Sequence, residues 1–207
     1  MRNKRIRADQ ATLPLCTQCN TDFGDQLEGP MSAILNDIES GNGISDHEAE
    51  IIVRWLWKVE GLLWHISNPT SAYSPKYTLR ERVLSPLDSI RGHLILAIAM
   101  CETIDPTYGD SPMGIDSHGR VDGVFVSGVF SQTGMMVVLD AFSDLIPRQF
   151  STYRLSADRS VVTSRAKLFF PRTTFPSDTE LVGVTYMSSL TLTAAHEAFA
   201  THLHNRA

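Results

Sequence analysis

The chain has 207 residues, 43% of them hydrophobic and 20% charged, with a formal net charge of -5. That length and balance fit one globular domain with a real core and exclude an extended disordered chain. No apolar run reaches the roughly 18 to 20 residues of a membrane span, and a mildly acidic chain offers nucleic acid no global attraction.

In chain order, the opening Met1-Arg2-Asn3-Lys4-Arg5-Ile6-Arg7 is basic, but no apolar stretch follows it, so it is not a secretory signal and a cytoplasmic location is expected. Arg2, Lys4, Arg5 and Arg7 form the one dense basic patch, the expected point of contact with DNA; the alternative is a solvated tail. Cys16-Thr17-Gln18-Cys19-Asn20 follows and reads as a compact turn, so residues 1–25 are expected to be a tail plus a cysteine turn. Leu27, Met31, Ile34, Leu35 and Ile38 then recur at helical spacing from Gln26 to Ser40, with Pro30 in the first turn and Gly41-Asn42-Gly43 as the stop. Ser45-Asp46-His47-Glu48 is a capping box. It opens a helix striped with Ile51, Ile52, Trp55, Leu56, Val59, Leu62, Leu63 and Ile66, with Trp57 and Trp64 on a neighbouring face.

A further helical stretch is expected from about Thr78 to Pro86, and Leu87 to about Ile104 reads as a second long buried helix. The segment from Asp105 to Gly119, rich in Pro, Gly and Asp, must be a loop. After it the period changes. Val121–Phe130 and Met135–Phe142 read as a hairpin, with further strands near Thr152–Leu155, Ala166–Phe170 and Leu181–Met187, and Ser188 to about Asn205 as a terminal helix. The fold class expected is α+β: a cysteine turn and a helical half (26–104), packed on a mostly antiparallel sheet (120–187) with a closing C-terminal helix (188–205), residues 26–207 forming a single domain.

The three cysteines are an odd count, with Cys101 alone in an apolar stretch, which suits a reduced compartment. Cys16 and Cys19 are spaced to offer two thiolates to one tetrahedral metal, zinc being the default. Two ligands do not close such a site. The alternatives are two small thiols or a redox pair, the latter without an obvious preceding strand. The wider pattern, Leu15-Cys16-x-x-Cys19-Asn20-x-x-x-Gly24-x-x-Leu27-Glu28 running on through Gly41-Asn42-Gly43-Ile44-Ser45 and Arg54-Trp55-Leu56-Trp57-Lys58, resembles the second half of HNH endonuclease-like proteins of bacteria and phages over about residues 13–65.

The resemblance implies that Cys16 and Cys19 are the second pair of a structural zinc site. It also implies that Asn20 orients a general-base His, and that Glu28 falls near the position that helps hold a catalytic Mg²⁺ or Mn²⁺. The family's first cysteine pair and its His come earlier in the motif, and no Cys or His precedes Cys16 here. Either a segment precedes this one or the chain is a reduced relative. Hydrolysis of a phosphodiester needs an activated water and a counter to developing charge. The expectation is therefore an HNH-related accessory or nucleic-acid-associated protein, not a competent nuclease alone. The alternatives are a metal-dependent DNA endonuclease whose other half is absent from this chain, and a non-enzymatic protein-interaction or homo-oligomerising module.

Other constellations weigh less. Asp105, Tyr108, Asp110, Asp116 and His118 gather carboxylates, a phenol and an imidazole in one loop, a candidate ligand- or cation-binding site whose bland account is turn chemistry. His196, His202 and His204 do not share a helix face at a spacing one ion could use. Ser164-Arg165-Ala166-Lys167 matches a serine-nucleophile motif by chance, without its partner motifs.

Overall fold

The computed structural model describes residues 15–67, 78–88, 90–100, 128–130, 133–146 and 148–172. Within them the chain is α+β, as its patterning implies. The first finding departs from the expected cysteine turn. Thr17–Phe23 is an α-helix (α1), which passes through a wide π-helical turn, Gly24–Glu28, into a second α-helix (α2), Gly29–Glu39. The wide turn is marked by the Gly29 N–H donating to the Gly24 carbonyl, five residues back. It sits directly before Pro30, whose ring and missing N–H an unbroken α-helix tolerates badly, and the extra residue gives that ring room.

Helix α2 ends at the Gly41-Asn42-Gly43 stop. The Gly41 N–H donates to the Ile38 carbonyl at 3.0 Å and the Asn42 N–H to the Asp37 carbonyl at 2.9 Å. That pair of bonds is a Schellman closure, and Gly41 (φ 74°) takes the left-handed position it requires. The chain then forms a short strand β1 (Ile44–Ser45) and the long helix α3 (Asp46–Ser67). The capping box is present: the Ser45 N–H donates to Glu48 Oε2 at 2.6 Å, and the Glu48 N–H to Ser45 Oγ at 3.3 Å.

Ile52, Val53, Leu56 and Trp57 are all buried, so α3 is covered over a wide arc, as its two apolar faces imply. It touches the π-turn, α2 and β1, and also later elements. These are the helix α4 (Leu79–Leu84) and the short helix α5 (Arg159–Val162), with the strands β4 (Thr133–Leu139) and β6 (Lys167–Phe169).

The expectation of a long buried helix from Leu87 fails. Leu94–Met100 is a strand (β2), entered from a single 3-10 turn at Arg91–His93. An unbroken apolar run of this length has no period that separates helix from strand. The outcome is set by its neighbours. Strand β4 pairs with β2 along its whole length, from Leu94↔Leu139 to Met100↔Thr133. Strand β5 (Ser151–Arg154) pairs with its other edge. Strand β3 (Gly128–Phe130) completes an antiparallel sheet ordered β3-β4-β2-β5. Both edges of β2 are thus paired, and since every residue from Leu94 to Ala99 is buried, both of its faces are covered as well.

The described part of the expected hairpin is β3–β4, with Phe130 opposite Thr133, so Thr133 and Gly134 belong to a strand and not to the connection. Residues 121–127 lie outside the described residues. Asp140–Leu145 is a 3-10 helix, so the second strand ends at Leu139 and not at Phe142. The strands expected near Thr152 and Ala166 are present as β5 and β6, the latter paired with β1. The strand at Leu181–Met187 and the helix from Ser188 lie outside the described residues. None of the described helices is long and apolar enough to cross a membrane.

Candidate functional site

Cys16 is the N-cap of α1, and its Sγ accepts the Cys19 N–H at 3.2 Å. Cys19 lies one turn on, so the two side chains share a helix face. Cys16 is exposed, Cys19 is half-buried, and both are free thiols. Hydrogen bonds from the Cys19 thiol and backbone hold the Cys16 thiol below its ordinary value, while the same contact with Cys16, and then burial, raise Cys19. Arg80, from the first turn of α4, opposes the rise by hydrogen-bonding to Cys19. The same guanidinium pairs with Asp22, which also accepts the Gln18 amide at 2.8 Å. The end of α1 is thus two sulfurs beside an anchored cation.

As a metal centre this donor set is half complete. Among the described residues no three His, Cys, Asp or Glu side chains gather as a metal ion needs. Cys16 and Cys19 fit one half of a four-ligand zinc site, and two further ligands have to come from elsewhere.

Asn20 is exposed on α1, and its backbone carbonyl accepts the Gly24 N–H. Glu28 ends the π-turn, and its Oε1 accepts the ammonium of Lys58 on α3. Lys58 is 5% exposed and its ammonium lies 5.7 Å from the centre of the Phe23 ring. Burial pulls Lys58 below the ordinary lysine value. So the structure joins the Leu27-Glu28 part of the sequence pattern to its Arg54-to-Lys58 part and leaves Asn20 apart from that contact. Arg2, Lys4, Arg5, Arg7, Asp105, Tyr108, Asp110, Asp116 and His118 lie outside the described residues, as do His196, His202 and His204. Lys167, of the Ser-x-x-Lys match, is engaged elsewhere: its ammonium donates to Asp37 and Glu48, each at 2.8 Å.

The sequence patterns did not reveal a buried polar centre at the start of α3. Asp46 is fully buried; its Oδ1 accepts the Tyr153 hydroxyl and the Ser156 N–H, both at 2.8 Å, and its Oδ2 accepts Arg91. Arg91 also donates to Glu50 and, through Nε, to the Ser156 carbonyl at 2.7 Å. Glu50 Oε1 in turn accepts Arg54, which reaches the Val83 and Ser85 carbonyls at the end of α4. Burial, and then the Asp46 carboxylate, raise the Tyr153 hydroxyl well above its ordinary value.

Each carboxylate oxygen of Asp46 and Glu50 has a partner, so the arrangement clamps elements together. Glu50 and Arg54, four apart on a helix, were the one detectable sign of it. Arg91 and Tyr153 gave none, because they arrive from distant elements.

No family model, no curated protein and no solved structure matches this chain.

Proposed function

We propose that the protein is an HNH-related, nucleic-acid-associated accessory protein that does not cleave DNA by itself. In this reading Cys16 and Cys19 supply half of a structural zinc site. What supports it is the tie between Glu28 and Lys58. It joins the π-turn, which continues the cysteine-bearing helix, to α3, and so brings together two parts of the resembling pattern. A cysteine pair in the first turn of a helix is also suited to hold a metal, since both side chains lie on one helix face. Zinc there would fix the start of α1, and the basic stretch Arg2 to Arg7, which precedes it in sequence, would meet phosphate.

The test uses the full chain. Zinc content by mass spectrometry and anisotropy with labelled duplex DNA are measured beside a plasmid-nicking assay in Mg²⁺ and Mn²⁺. Expected are retained zinc that is lost in Cys16→Ser/Cys19→Ser, DNA binding that weakens steeply with salt, and intact plasmid. Absence of both zinc and DNA binding overturns the reading, and metal-dependent nicking moves it to the endonuclease alternative.

A non-enzymatic interaction module is the second reading, favoured by the exposed Leu168 and Phe170 on and beside β6. Self-association lost in Leu168→Lys/Phe170→Lys supports it.

A further inference from the structure

We propose that Cys16 and Cys19 are also a reversible dithiol–disulfide pair that exchanges with small-molecule disulfides, Cys16 attacking and Cys19 resolving. This goes beyond the zinc reading and does not rest on it. Three observations carry it. Both residues are free thiols one helical turn apart, and the Cys16 sulfur accepts the Cys19 N–H at 3.2 Å. They differ in access: Cys16 is exposed, so an incoming disulfide meets it first, whereas Cys19 is half-buried behind it. And Cys19 lies one helical turn from Asp22, which anchors the Arg80 guanidinium on that side of α1. A sulfur one turn from the attacking one is where a resolving thiol has to sit.

The chemistry balances with a low-molecular-weight disulfide as oxidant. The Cys16 thiolate attacks one sulfur of that disulfide, its S–S bond breaks, and one small thiolate leaves. Cys19, losing its proton to solvent, then attacks the Cys16 sulfur of the mixed disulfide, and the second small thiolate leaves. The protein has lost two electrons and gained one S–S bond; the small disulfide has become two thiols.

Oxidised glutathione is the probe, applied to the full chain after dialysis against EDTA so that bound zinc cannot shield the sulfurs. Zinc content is measured separately, and its absence leaves this expectation untouched. Of the three thiols in the chain, two should become closed to alkylation, and dithiothreitol should restore them. Peptide mapping should place the bond between Cys16 and Cys19. In Cys19→Ser the reaction should stop with one glutathione retained on Cys16, and in Cys16→Ser the fast phase should be lost. Circular dichroism confirms that both variants remain folded. A bond mapped to Cys101, unchanged alkylation of all three thiols, or the same thiol loss in Cys19→Ser overturns the proposal.

Discussion

Asp46 shows how one residue sets the cost of everything around it. It is a buried carboxylate whose three hydrogen bonds come from a tyrosine, a backbone amide and an arginine on elements far apart in sequence. Removing it leaves Glu50 alone to offset the desolvation of Arg91, itself 2% exposed, and strands the Tyr153 hydroxyl and the Ser156 N–H. Asp46→Ala should therefore cost about 3 to 5 kcal/mol. Tyr153→Phe, which leaves Asp46 with Arg91 and the Ser156 N–H, should cost only about 1 kcal/mol. Urea melts of both variants check this, and equal losses would mean that the centre does not depend on the ion pair.

Glu28 can be judged the same way. If its work is to partner Lys58, Glu28→Gln should lower stability by about 1 to 2 kcal/mol, because it leaves a buried ammonium poorly paired. Lys58→Met, which removes the buried charge instead, should cost less. A Glu28→Gln variant that melts like the parent would instead favour the metal-binding role the resemblance implies.

At the scale of elements, the loop between α2 and α3 gives two glycines with different reasons to be glycine. A side-chain carbon on Gly41 would meet nothing within 4 Å, so Gly41→Ala costs only its left-handed backbone, about 1 kcal/mol. On Gly43 that carbon would fall 2.6 Å from the Phe170 ring and 2.8 Å from the Phe169 carbonyl, at the same left-handed φ. Phe170 is exposed and can turn away, but the carbonyl belongs to β6 and cannot. Gly43→Ala should cost roughly 2 to 3 kcal/mol and loosen the pairing of β1 with β6, read by thermal melts of the two variants side by side.

This loop was legible in the sequence because helix stops and capping boxes are local chemistry, carried by Gly41, Ser45 and Glu48 within a few residues. The hairpin β3–β4 was legible for the same reason, through its β-branched run. Strand β2 was not, since a strand covered on both faces carries no alternation, and its identity lies in what β4 and β5 place beside it. The helical start at Thr17 was missed too. A Cys-x-x-Cys looks alike in a turn and in the first turn of a helix, and only the Cys16 cap bond separates them. Of the candidate site, the residues were legible and their partners were not: Arg80 and Lys58 reach Cys19 and Glu28 from elsewhere in the chain.

Across the whole molecule, the distant segments are tied by ion pairs as well as by the apolar core. Lys167 on β6 bridges Asp37 of α2 and Glu48 of α3. Arg80 joins α4 to Asp22 of α1, and Arg154 joins β5 to Asp140 after β4. Hydrogen bonds from Lys167, Arg80 and Arg154 hold Asp37, Asp22 and Asp140 below the ordinary carboxyl value. Burial of Glu48 works against its charge, but the bonds from Lys167 and Ser45 outweigh it and lower its value as well.

Carboxyls whose value is lowered on folding stabilise the fold above their unfolded value, about 4, and lose that contribution as pH falls through the folded value. Burial opposes the charge of Lys167 too, yet its bonds to Asp37 and Glu48 prevail and its value rises. Its own titration therefore leaves that contribution complete below the unfolded lysine value, about 10.4, and removes it as pH climbs through the folded one. Lys167→Met should then cost about 1 kcal/mol at neutral pH, a modest figure because the bridge is partly exposed. The deficit should shrink as pH falls below about 4 and Asp37 and Glu48 take up protons, since the parent then loses what the variant never had. Urea midpoints for the two proteins, measured from neutral pH down to about pH 3, should converge. Parallel curves would show that the bridge does not couple α2, α3 and β6, and that the core alone holds these elements together.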